Sequence, residues 1–302
     1  MDAAPLRYES NDEDSGRWLD FPFRQGDIVI STRSKSGTTW MQMICALLVF
    51  QTSKLPHALG DLSPWLDHKI EPLDEVVDRL EAQPHRRFIK THTPLDGVVL
   101  DPRATYVVVA RDPRDMYISL YHQGNNMDRD AIRRMLGQPA LIEPEKPTVR
   151  RPLEEALERW IDSDADPRQS MDSIRGVFHH VSDAWERRQC ASPDQPTVIL
   201  VHYDDLLTDL EGQMRRLADQ FGITVPDDRW PDLVEAATFS AMKSRADSLA
   251  PGRGSVLKDV GAFFRQGRSG GWRDLMTDAQ VRHYEQRAAG LAPAEVVAWL
   301  HP

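Results

Sequence analysis

The clearest patterned stretch begins at Ile28-Val29-Ile30, a short β-branched run. A polar turn of small residues follows, then a nearly unbroken apolar run over 39–50 without Gly or Pro. That order predicts strand, turn and helix. Short apolar runs over 87–92, 106–110 and 197–202 also read as strands, and Tyr106-Val107-Val108-Val109-Ala110 is the most clearly buried of them. Apolar residues recur at helical spacing over 73–82, from about 115, and over 153–161, 173–188, 206–221, 235–243 and 278–290. Strands alternating with helices predict an α/β fold, a central and mostly parallel sheet flanked by helices. No linker separates two cores, so residues 21–302 read as a single domain.

Other stretches lack such a period. Residues 1–20 are acidic and polar and read as a flexible N-terminus, apart from an apolar anchor over 18–23. Residues 55–65 read as a loop. From 124 to 171 the chain carries mixed charge with Pro144, Pro147, Pro152 and Pro167, which predicts a surface insertion or lid. A glycine-rich basic stretch spans 252–271.

Composition narrows the function. The 302 residues are 40% hydrophobic, enough for a sizeable core, and the net charge is −10. That charge argues against nucleic acid, an anionic membrane surface or a polyanionic substrate as partner. The two cysteines, Cys45 and Cys190, form no disulfide framework and no zinc spacing. The N-terminus lacks a secretion signal, and the most apolar helix is too short to span a bilayer. The expectation is a cytoplasmic protein without membrane insertion.

Within this acidic chain, cations stand just past strand ends. Lys35 lies in the turn Ser34-Lys35-Ser36-Gly37-Thr38-Thr39. A small-residue turn leading into a helix gathers backbone N–H groups and partial positive charge, which makes an anion cradle. It is not the usual phosphate loop, because Lys35 precedes the glycine rather than following two of them. His92 closes the second strand after Lys90 and Thr91, and Arg111 closes the third. In a parallel sheet, ligands gather at the carboxyl ends of strands. An arginine where a magnesium-dependent kinase carries an acidic metal ligand favours direct phosphate contact. A lone histidine after a strand is more often structural, but beside Lys90 it suits a general base.

Lys35-Ser36-Gly37-Thr38-Thr39-Trp40, Lys90-Thr91-His92, Arg111-Asp112-Pro113-Arg114-Asp115 with Ser119, and Phe264-Arg265-Gln266-Gly267 with Gly270 and Trp272 run in order along the chain. In this set the chain resembles the cytosolic sulfotransferases, over about residues 24–290. The resemblance implies a sulfotransferase fold akin to the P-loop NTPases. It also implies transfer of a sulfuryl group from 3′-phosphoadenosine 5′-phosphosulfate (PAPS) to a hydroxyl or amine of a small, neutral or apolar acceptor, with no metal required. By the same resemblance, Lys35, Ser36, Gly37, Thr38 and Thr39 would hold the 5′-phosphosulfate. Trp40 and Phe239 would flank the adenine and Tyr203 would meet it. Arg111, Ser119, Arg265, Gln266 and Gly267 would surround the 3′-phosphate. Lys35, Lys90 and His92 would be catalytic, with His92 the base of an in-line displacement. Acceptor specificity would lie in the loops 55–65, 124–171 and 246–257.

The chain departs from the family pattern at several positions. Arg33-Ser34 stand for Tyr-Pro, Gln266 for a basic residue and Gly271 for an aspartate. The family dimer segment appears as Arg273, Thr277, Asp278 and Arg282, so dimerisation by that route is not expected. Two other readings stay open: an ATP-dependent small-molecule kinase on a related fold, and a nucleotide-binding protein without chemistry.

Overall fold

The computed structural model describes residues 4–135, 151–190, 195–250 and 256–302. Its centre is a four-stranded sheet in the order β2-β1-β3-β4, made of β1 (Ile28–Thr32), β2 (Phe88–Thr91), β3 (Thr105–Ala110) and β4 (Thr197–His202). All three pairings are parallel, with Ile30 opposite Lys90 and Val107, and Ala110 opposite His202. The α/β architecture expected from the sequence is therefore present. Parallel strands are covered on both faces, which is why the middles of β3 and β4 are apolar at successive positions rather than at alternate ones.

The pleat sorts those positions into two cores. Ile28, Ile30, Val107, Val109, Ile199 and Val201 face the helix Thr38–Phe50, through Met41, Ile44 and Leu48, and the helix Leu210–Phe221. Val29, Ile89, Tyr106, Val108 and Leu200 face Val76 and Leu80 of the helix Leu73–Ala82, together with Trp18, Phe21 and Phe23. A third cluster joins Met116, Leu157, Trp160, Phe178, Tyr284 and Leu300, and so ties the C-terminal helices to the rest.

Several expectations change. Residues 4–20 are packed rather than loose: Tyr8 is 1% exposed and Trp18 is fully buried. Tyr8 donates its hydroxyl hydrogen to Asp96 at 2.9 Å, and Trp18 Nε1 donates to Asp67 at 3.1 Å. The acidic residues that suggested a solvated tail instead accept turn hydrogen bonds, as Asp14 does from Gly16 at 2.9 Å. The loop 55–65 contains the single helical turn Leu59–Leu62. The helix expected over 206–221 begins earlier and divides into Tyr203–Thr208 and Leu210–Phe221, because Asp209 caps the second piece. Thr238 likewise separates Trp230–Ala237 from Phe239–Ser244. The C-terminal helix Ala294–Leu300 had no counterpart in the sequence reading.

The stretch 124–171 is composite. Gly124 lies inside the helix Pro113–Asn126, and a short helix Arg129–Met135 follows. Residues 136–150 lie outside the described residues. The helix Leu153–Ile161 is core, with Leu157 and Ile161 buried against Phe178 and its neighbours. That helix is therefore no part of a lid.

Candidate active site

Parallel pairing sets the carboxyl ends of all four strands along one edge of the sheet, and the candidate groups emerge there. β1 leads into the turn that carries Lys35. Lys35 itself takes a left-handed backbone with φ 65°, and Gly37 follows at φ 110°. Gly37 is also the N-cap of the helix Thr38–Phe50 and offers no side chain to the first-turn N–H groups. Those groups have no partner inside the helix. A Cβ at Gly37 would lie 3.1 Å from the Tyr203 ring, so glycine also permits close approach of β4's end. Thr38 and Thr32 join their hydroxyls at 2.5 Å and brace the turn against β1.

The Lys35 ammonium donates to Gln123 Oε1 at 2.5 Å and lies 4.3 Å from the centre of the Phe263 ring. Burial, reinforced by Arg111, Lys90 and Arg265, pushes its pKa down to about 7. Lys35, Ser119, Gln123, Phe263 and Arg265 line one small cleft. Ser119 and Gln123 are four residues apart and share a face of the helix Pro113–Asn126.

Arg111 is 8% exposed. It donates from Nη2 to the Arg268 carbonyl at 2.7 Å, its guanidinium lies 4.4 Å from the Tyr203 ring centre, and its buried Nε has no partner. The neighbouring acids are engaged elsewhere. Asp112 accepts from Arg114 at 3.0 and 2.7 Å, and Asp115 accepts from the Gly270 N–H at 2.6 Å. Arg265 is held below its usual range by burial and by Arg111 and Arg268. Gln266 turns toward Arg268 at 3.4 Å. Gly267 has φ 60°, and a Cβ there would strike the Phe239 ring.

The two rings expected around an adenine take different neighbours. Trp40 is 8% exposed, donates from Nε1 to the Ala237 carbonyl at 2.8 Å and meets Tyr203 edge-on at 5.2 Å. Phe239 meets Phe264 at 6.2 Å.

His92 sits beyond β2 and is 6% exposed. Its Nδ1–H donates to the Thr32 carbonyl at 2.5 Å, which assigns the proton to Nδ1 and leaves Nε2 with a free lone pair. Burial, then Lys90 and Arg33, hold its pKa well below the usual histidine value, so the ring is neutral at pH 7. Lys90 rests 3.8 Å from the centre of the Trp65 ring, and burial lowers it to about 8 against the pull of Glu13 and Asp67. Trp65 also meets His92 edge-on at 4.6 Å.

Lys35, Lys90, Arg111 and Arg265 thus converge, while Lys35 and Arg111 donate to neutral acceptors. Such a cluster repels itself and suits a multiply charged anion. A wider cleft lies between residues 53–59 and the helices near Glu235 and Arg245, with mixed charge at its walls. It lacks a converging set of cations, so the strand-end cluster is the better candidate. Among the described residues no group of three or more His, Cys, Asp and Glu is placed to hold a metal ion.

Sequence reasoning missed Gln123, Phe263 and Trp65. Gln123 carried a usable signal, four residues beyond Ser119 on the same helix. Phe263 and Trp65 arrive by tertiary folding and carried none.

Residues 25–290 match the sulfotransferase domain family. A glycolipid sulfotransferase of Mycobacterium bovis (strain BCG / Pasteur 1173P2) is 40% identical over 312 residues, covering 97% of this chain and 93% of that protein. Sulfotransferase 1A1 of Rattus norvegicus is 25% identical over 272 residues, covering 87% and 83%. Among solved structures, a mouse sulfotransferase complexed with PAP superposes with a TM-score of 0.67 at 19% identity, covering 94% of this chain and 90% of that one. Retinol dehydratase in complex with androsterone and the inactive cofactor PAP gives 0.64 at 21%, covering 92% and 83%.

Proposed function

The chain belongs to the sulfotransferase domain family, and from that premise we propose that it moves a sulfuryl group from PAPS to a hydroxyl of a glycolipid, with His92 as the base. The observation that carries the reading is that Lys35 and Arg265 line one cleft and Arg111 acts electrostatically on both, with the donors of Lys35 and Arg111 on neutral groups. The residues fit the nucleotide. The unpartnered Arg111 Nε and the uncapped helix start after Gly37 are donors awaiting an anion. Ser36 to Thr39 with Lys35 would hold the 5′-phosphosulfate, while Arg111, Ser119 and Arg265 with Gly267 would hold the 3′-phosphate. Trp40, Tyr203 and Phe239 would border the adenine. The glycolipid acceptor is suggested by the relatives at 40% identity.

PAPS, when bound, supplies an activated sulfuryl group whose leaving group is the 5′-phosphate. His92 Nε2 takes the proton of the acceptor hydroxyl as that oxygen forms the new S–O bond. Lys35 and Ser36 to Thr39 would hold the departing 5′-phosphate, whose bridging oxygen would keep the electron pair of the broken S–O bond. Lys35 places its charge where that negative charge grows, so it stabilises the transition state more than the ground state. Lys90 adds a second charge near the transferring group. The products are a sulfate ester, adenosine 3′,5′-bisphosphate and an imidazolium that returns its proton to solvent.

Incubation with ³⁵S-labelled PAPS, a chelator and a panel of neutral glycolipid, sterol, phenol and fatty alcohol tests this reading. Label should enter the glycolipid with the chelator present. No transfer to any acceptor, with nucleotide binding intact, would leave a binding protein. Complete loss with chelator, restored by magnesium, would contradict metal-independent transfer.

A further inference from the structure

Buried charged groups in this fold are normally paired. Arg87 is 1% exposed and donates to Asp27 and the Pro22 carbonyl; Arg114 grips Asp112 with two bonds. Arg33, the residue after β1, has only a long ion pair, to Asp172. It is 2% exposed, yet its Nε and Nη1 have no hydrogen-bond partner. Its nearest acid, Asp172, stands 3.9 Å from Nε, beyond hydrogen-bond range, and the Asp172 Oδ1 facing it is also unpartnered. Glu13 is 9% exposed and its Oε2 lacks a donor. Trp65, whose ring carries Lys90 on one side and meets His92 on another, has a buried Nε1–H without an acceptor.

These open valences belong to one place. Arg33 and Lys90 both act electrostatically on His92 and on Glu13, and Asp172 acts on Glu13. Buried polar groups left unsatisfied are costly and are rare in native proteins. Resting on the sulfotransferase reading above, we propose that Arg33, Glu13, Asp172 and the Trp65 indole form an acceptor subsite for the hydroxyl groups of a saccharide, beside the His92 base.

The chemistry selects that class. A sugar offers adjacent hydroxyls, each both donor and acceptor, which can meet a guanidinium, a carboxyl and an indole N–H together. An anionic acceptor would face the Asp172 carboxylate. A hydrocarbon or plain phenol would leave the Arg33 donors unmet. Burial raises the Glu13 carboxyl to about 8, so it too can both donate and accept. Arg33 stands where the family pattern has tyrosine, so this subsite coincides with a departure from that pattern.

The probes are hexyl β-D-glucoside and hexan-1-ol, which share the alkyl chain and differ by the sugar. Each is titrated by calorimetry or saturation-transfer NMR into protein loaded with adenosine 3′,5′-bisphosphate. Wild type should prefer the glucoside by about tenfold or more, the usual weight of a charge-assisted contact. Arg33→Met and the isosteric Glu13→Gln should each erase most of that preference while hexan-1-ol and nucleotide affinity hold. Equal affinity for the two probes in wild type would overturn the proposal. So would a preference unchanged in both variants, or Arg33→Met and Glu13→Gln weakening the two probes alike. Failure of wild type to bind the nucleotide would overturn the sulfotransferase reading and the subsite with it; a wild type that binds the nucleotide but shows no sugar preference overturns the subsite alone.

Discussion

At the scale of single residues, protonation decides what Lys35 and His92 can do. Lys35 must be an ammonium to hold a phosphosulfate, and its pKa in the free protein is lowered to about 7. Its charge is therefore lost as pH rises through that value. His92 must be neutral to take a proton, and its pKa is depressed well below 6.5, so it stays a base until the medium is distinctly acidic. Since kcat/KM reports the free enzyme, its profile should be bell-shaped, with an alkaline limb near pH 7 and an acid limb well below 6.5. Lys35→Arg keeps the charge at all these pH values and should remove the alkaline limb, even with lower absolute rates. A wild-type profile flat from pH 6.5 to 9 would contradict the assignment to Lys35. These groups were legible in the sequence because each follows a strand end directly. Trp65 and Glu13 were not, since contacts between distant segments bring them in. Trp65 pairs with Lys90 across a parallel bridge, and Glu13 with His68 across an antiparallel one.

At the scale of elements, two segments at the site are hydrogen-bonded to each other. Asn126 and Asp128, at the end of the helix Pro113–Asn126, are stitched to 256–259. Asp128 N–H donates to the Val256 carbonyl at 2.9 Å, Lys258 N–H to the Asn126 carbonyl at 2.8 Å, and Asp259 N–H to Asn126 Oδ1 at 2.8 Å. Phe263, a few residues on, lies over the Lys35 ammonium. A nucleotide in the cleft would contact this strap, so limited proteolysis should cut near 126–135 and 256–268, and adenosine 3′,5′-bisphosphate should slow both cuts together. Protection of one segment without the other would separate them. The N-terminal segment teaches a different lesson. Its acidic composition suggested a loose tail, yet Trp18 is fully buried against Phe21 and Phe23, and Asp67 accepts from its indole. Trp18→Ala should lower stability by ~3–5 kcal/mol in denaturant unfolding, as for other large core truncations. A change under ~1 kcal/mol would return the segment to the surface. Helix breaks at Asp209 and Thr238 escaped the periodicity because a cap interrupts a helix without disturbing its apolar spacing.

At the scale of the molecule, the α/β class and all four strands followed from the pattern, since parallel strands buried on both faces leave continuous apolar runs. The strand order β2-β1-β3-β4 was not legible, because pairing between separated strands leaves no local mark. That order puts β1 in the middle, with His92 on one side of its exit and Arg111 on the other. A chain of net charge −10 thereby holds a local pocket of opposite sign. The central claim is that this pocket performs transfer and does not merely bind. The most direct measurement is kcat for transfer from saturating PAPS, together with nucleotide affinity by calorimetry, in wild type and His92→Ala. The account predicts a fall in kcat of ~10²–10⁴ with nucleotide affinity nearly unchanged, because the imidazole, as the proposed base, would act on the acceptor's proton and not on the phosphates. Wild-type kcat in His92→Ala, with chemistry shown to be rate-limiting, would contradict it.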